Sequence, residues 1–161
     1  MSFSDPTLHN NERLAIGWYL GKSGFPLQAI MKRVIDKLIR RGRASHVLFW
    51  GGSAGGFASL LFGQQYPRSM SYVWNPQTDV RRYDPRHIQK IGAACFGEPD
   101  MERFIDRLPA LATCDLVSLY RDRYAGNGVI YLQNLPDWHT RTHAKPYRRD
   151  DRRPSAIVGP V

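Results

Sequence analysis

The chain has 161 residues, 42% of them hydrophobic and 12% aromatic, with 23 Lys+Arg against 14 Asp+Glu for a formal net charge of +9. A chain near this size buries roughly two-thirds of the surface its unfolded form exposes, so one domain with its own core is expected, and disorder, collagen-like repeats and coiled coil are excluded. Cys95 and Cys114 form no CxxC and have no paired His at zinc-ligand spacing, so reduced core thiols are expected, with no structural zinc and no cofactor.

Residues 1–25 read as a loop holding one short ordered piece, the apolar LAIGWYL. The N-terminal stretch has no apolar h-region, and no run approaches the ~18 apolar residues of a membrane span. A soluble, cytoplasmic protein is the expectation. Pro26 opens an amphipathic helix over about 26–41, closed by Gly42. Its stripe of Leu27, Ile30, Met31, Val34, Ile35 and Leu38 leaves Lys32, Arg33, Lys37, Arg40, Arg41 and Arg43 as the solvated face. A nucleic-acid partner is therefore not favoured by the basic balance.

Ala44–Trp50 is a short apolar run that reads as a buried parallel strand, and Met70–Trp74 and Val129–Gln133 read the same way. Phe57–Tyr66 continues as a helix that Pro67 ends, and 84–125 is mostly helical with breaks at Gly97–Pro99 and Pro109. Strands separated by helices imply βαβ units. The expected fold is α/β, a three-layer α/β/α arrangement on a small parallel sheet, over a single domain at 1–145. Residues 146–161 are expected as a basic, flexible tail, with one late strand candidate at Ser155–Val158.

Gly51-Gly52-Ser53-Ala54-Gly55-Gly56 joins a predicted strand to a predicted helix, the context in which G-x-S-x-G presents a serine nucleophile. A serine at such a turn takes a strained backbone conformation, and Gly51 and Gly55 would remove side chains from the neighbouring strand and helix. The helix beginning at Ala54 aims free N–H groups and its positive end at the same point. The alternatives are a packing turn or a phosphate cradle, but G-x-G-x-x-G and G-K-[ST] are absent, and the next strand ends in Asn75.

FWGGSAGGFASLLFG, YVWNPQTD and VIYLQNLPDWH together resemble the α/β-hydrolase family over roughly residues 26–143. More loosely, GGSAGG, NPQTD and YLQN-x-x-D look like bacterial hydrolase-like domains that accompany surface-polysaccharide or glycosyltransferase enzymes. The resemblance implies a partial α/β-hydrolase fold with Ser53 as nucleophile, the Ala54 N–H as one oxyanion donor, and Asp137 as the acid that orients a histidine. Asp79, beyond the second strand, is the alternative acid. The implied reaction is hydrolysis of a small ester or acylated substrate.

The family order is Ser, acid, then His after one further strand, and no residue occupies that last position. Only His139 and His143 follow Asp137. One of them as base would require a loop to fold back to Ser53. Their i, i+4 spacing also allows a metal reading, but no third ligand stands at usable spacing. The leading strands, with the loop that supplies the second oxyanion donor, also have no counterpart. Weak or absent hydrolysis is therefore expected, as is an exposed sheet edge open to a second copy or a partner chain. The rivals to an esterase-like enzyme are a non-catalytic interaction domain and a basic nucleic-acid binder. Trp18, Trp50, Trp74 and Trp138 are read as core or rim packing rather than a cleft lining.

Overall fold

The structure, a computed structural model, describes residues 1–123 and 126–148. It is an α/β domain on a parallel sheet of β1 (Val47–Gly52), β2 (Ser69–Trp74) and β3 (Gly128–Leu132), in the order β1-β2-β3. Helix α1 (Leu27–Gly42) precedes β1, and α2 (Ser53–Gly63) links β1 to β2. Helices α3 (Pro85–Phe96), α4 (Met101–Leu111) and α5 (Leu116–Arg123) lie between β2 and β3, and α6 (Lys145–Arg148) follows a π-helical turn at Thr140–Ala144.

The core lies on one face of the sheet. Helix α2 is apolar all round and buried from Gly56 to Gly63, as a helix enclosed by other elements must be. Phe49 of β1 stacks on Tyr66 at 5.7 Å, and the Ser71 hydroxyl of β2 donates to the Ser59 carbonyl of α2. Helix α5 reaches the same layer through the Tyr120 hydroxyl, which donates to the Leu60 carbonyl. Two right-handed crossovers that step the same way across a sheet lay their helices on a single face. The other face is left without a helical layer among the described residues. It exposes Leu48, Trp50, Met70, Tyr72 and Trp74, with Trp50 67% accessible.

Several boundaries differ from expectation. Strand β1 begins at Val47 rather than Ala44 and runs through Gly51 and Gly52, so the helix starts at Ser53 itself. Pro109 does not break the chain: α4 continues to Leu111, with Phe104 and Leu108 buried against the core. A proline in the last turn deletes one backbone bond, and the anchored apolar stripe holds the turn in place.

The domain also extends past 145. Tyr147 is buried, with its ring 5.4 Å from both Tyr120 and Tyr131. The strand candidate Ser155–Val158 lies outside the described residues. In α1, Leu27, Met31 and Ile35 are buried while Arg33, Lys37, Arg40 and Arg41 face solvent. Val34 is exposed, which makes the buried stripe narrower than its apolar residues suggest. Both cysteines are free and buried, and burial raises both thiols, Cys114 to about 12. No helix among the described residues is long and apolar enough to cross a membrane.

Candidate active site

Ser53 stands where β1 becomes α2, with φ of +54° and its side chain exposed. A residue with a Cβ enters that left-handed region only when the surroundings impose it. Here the tight passage of strand into helix does so. A Cβ on Gly51 would lie 2.5 Å from the Gly55 carbonyl oxygen, and one on Gly56 would lie 2.7 Å from Pro76 Cβ. A Cβ on Gly52 would run into the Trp74 indole.

Gly55, by contrast, has open space where a Cβ would go. The packing requirement expected at Gly51 and Gly55 therefore falls on Gly51, Gly52 and Gly56. At the start of α2 the backbone N–H groups, Ala54 among them, have no acceptor within the helix and point their partial positive charge at the Ser53 end.

The loop after β3 folds back to the same end of the sheet. Asn75, with φ of +42°, donates its N–H to the Leu132 carbonyl, and its side-chain oxygen accepts from the Asn134 N–H at 2.8 Å. The loop after β2 is thereby tied to the loop after β3. Asp137 then sits within reach of its near neighbour His139, accepting from the backbone N–H at 2.9 Å and facing the ring Nδ1 at 2.6 Å. Burial pushes the Asp137 carboxyl up, but the bonds from the His139 backbone and ring more than offset it, and the group sits below the usual carboxylate range. The carboxylate places the ring proton on Nδ1 and leaves the Nε2 lone pair as an acceptor. Trp138 stacks on the imidazole at 4.1 Å and Tyr83 at 5.9 Å, so aromatic rings set its orientation.

Gln77 connects the two halves. Its Nε2 lies 2.6 Å from Ser53 Oγ and 3.1 Å from His139 Nε2, while its Oε1 accepts from the Trp18 indole N–H at 3.1 Å. Gln77 and Trp18 are both fully buried. The sequence reading missed Gln77 and read Trp18 as packing alone, without its bond to Gln77. Their only signal was Gln77's place in NPQTD directly after a strand, and an indole N–H that any buried tryptophan must satisfy.

Ser53, Asp137 and His139 thus converge, and His143 and Asp79 do not join them. His143 is buried, its Nδ1 accepting from the Thr78 N–H at 3.2 Å while its carbonyl accepts from the Thr78 hydroxyl. It props the loop that carries Gln77. Burial pushes its pKa down to about 3, with His139 and Arg82 adding to the effect.

Asp79 is held by Arg81 through two bonds of 2.9 Å and by Arg82 at 3.3 Å. It caps the 3-10 turn Val80–Arg82, which removes it as the alternative acid. No cluster of three or more metal-ligating side chains occurs among the described residues. A groove of about 570 Å³ runs along the free edge of β1 between Met31, Ile35 and Phe62, but it does not include Ser53, Asp137 or His139. No family model, no curated protein and no solved structure matches the chain.

Proposed function

We propose that Ser53, His139 and Asp137 form an acyl-transfer site of the serine-hydrolase kind, acting on an ester or similar acyl compound, and that the chain is a partial relative of the α/β hydrolases. The observation that carries this reading is the Asp137–His139 contact of 2.6 Å, which turns His139 Nε2 toward a serine held at positive φ on a strand-to-helix turn, with the Gln77 amide bonded to both. In the reaction, His139 Nε2 takes the Ser53 proton as Oγ bonds to the acyl carbon, and the developing oxyanion is met by the N-terminal N–H groups of α2. Collapse expels the alcohol with the proton returned from His139. Water, deprotonated by the same nitrogen, then releases the acid and restores Ser53.

A fluorophosphonate probe should label Ser53, with the site read by peptide mass spectrometry. Ser53→Ala should abolish labelling, and His139→Ala should slow it by ~10² or more. Labelling that survives Ser53→Ala, or that ignores the loss of His139, overturns the reading.

The open sheet face favours a second role beside the first, association through the β1 edge and the Trp50–Trp74 face. Its rings lie 5.8 Å apart with nothing described above them. Contiguous apolar surface of this kind marks contact sites. Light scattering should show a mass above that of one chain, which Leu48→Lys with Trp50→Lys should return to the monomer value. A monomeric parent chain would remove the association reading and leave the chemistry untouched.

A further inference from the structure

We propose that Gln77 gates the Ser53–His139 pair, its amide holding nucleophile and base apart at rest and rotating away when an acyl substrate enters. This rests on the acyl-transfer reading above. The indole N–H of Trp18 only donates, so its bond to Gln77 Oε1 fixes which end of the amide faces the site. Nε2 therefore points at Ser53 Oγ and His139 Nε2, and its two hydrogens occupy a lone pair on each. A planar amide nitrogen offers no lone pair for a proton, so it cannot relay the Ser53 proton to His139. While the bridge stands, the base is occupied by a donor that gives up nothing.

An oxyanion-donor role for this amide does not fit the geometry. Nε2 lies on the histidine side of Ser53, where the base must act, whereas the oxyanion forms on the side away from the base. The backbone around Gln77 is pinned by its own N–H to the Ser53 carbonyl at 3.4 Å, by Asn75 to Asn134, and by Thr78 to His143. Opening is then a rotation of the Gln77 side chain, its two donors passing to oxygen atoms of the entering substrate.

The test is the second-order rate of fluorophosphonate labelling at Ser53 in the parent chain, Gln77→Ala and Gln77→Asn. The asparagine is one methylene too short to bridge both atoms and keeps a polar group for Trp18. Both variants should label faster than the parent, by about fivefold or more. Adding His139→Ala to Gln77→Ala should return the rate to that of His139→Ala alone, because the gain acts through the base.

A residue of merely structural importance would slow labelling when removed. Unchanged or slower labelling in both variants overturns the gate while Ser53-dependent labelling of the parent keeps the acyl-transfer reading. Loss of the native fold in both assigns Gln77 a structural role and also overturns the gate. Absence of labelling in every variant, with the fold intact, strikes the acyl-transfer reading itself.

Discussion

His143 lies one helical turn beyond His139 and has the opposite fate. Its ring is enclosed and neutral, with a folded pKa near 3 against an ordinary value of 6.5. Because the unfolded chain binds the proton more readily, stability is fully present above pH 6.5 and falls as pH drops from 6.5 towards 3, by about 1.4 kcal/mol per unit. Urea midpoints should therefore fall between pH 7.5 and 5 by the equivalent of about 2 kcal/mol. His143→Asn keeps an acceptor for the Thr78 N–H and should flatten most of that slope. The same acid limb in the variant would show that another group carries it.

At the scale of elements, the β1–α2 junction sets two needs against each other. The turn must be tight enough to bring Gly51 against Gly55, and it must carry a side chain at positive φ on Ser53. Gly51→Ala drives a methyl into backbone that cannot yield and should cost about 2 kcal/mol or more. Ser53→Ala keeps the left-handed strain and removes the hydroxyl that accepts from the buried Gln77 amide, so it should unfold below the parent's midpoint. Ser53→Gly loses the same hydroxyl but relieves strain of about 1–2 kcal/mol and gives part of it back as chain entropy, so it should be more stable than Ser53→Ala by about 0.5–1 kcal/mol. These comparisons come from urea unfolding, and equal stability of the glycine and alanine variants would show that the junction is unstrained. A strained residue that destabilises its own fold is the pattern of a site held for chemistry.

For the whole molecule, the order β1-β2-β3 explains both the core and the open face. Each crossover adds helix to one side only, so the side bearing Ser71, Val73 and Tyr131 closes over, while Leu48, Trp50 and Trp74 stay accessible. Strands of parallel sheets are ordinarily covered on both faces. The face turned to solvent carries the larger apolar side chains of β2, Met70, Tyr72 and Trp74, while Ser69, Ser71 and Val73 turn inward.

Much of this molecule is local and was legible in the chain. The β-rich apolar runs, the apolar stripe of α1 and the glycine turn around Ser53 all act within a few residues, where sterics and periodicity decide, whereas α1 takes in Gly42 and is capped by Arg43 at positive φ. The strand and helix ends shifted by up to three residues because sheet pairing, not composition, sets where β1 starts and stops. Pro109 was misread because a breaker loses to packing when it falls in a helix's last turn.

What only the tertiary structure decided is which polar groups meet. In sequence His139 and His143 were equivalent, Asp79 and Asp137 were rival acids, and Gln77 was unremarked. Each choice follows from loops tied across the sheet by Asn75 and Thr78, between residues some sixty positions apart. Hydrogen-bond partnership at that separation depends on where the backbone arrives, which no local pattern encodes.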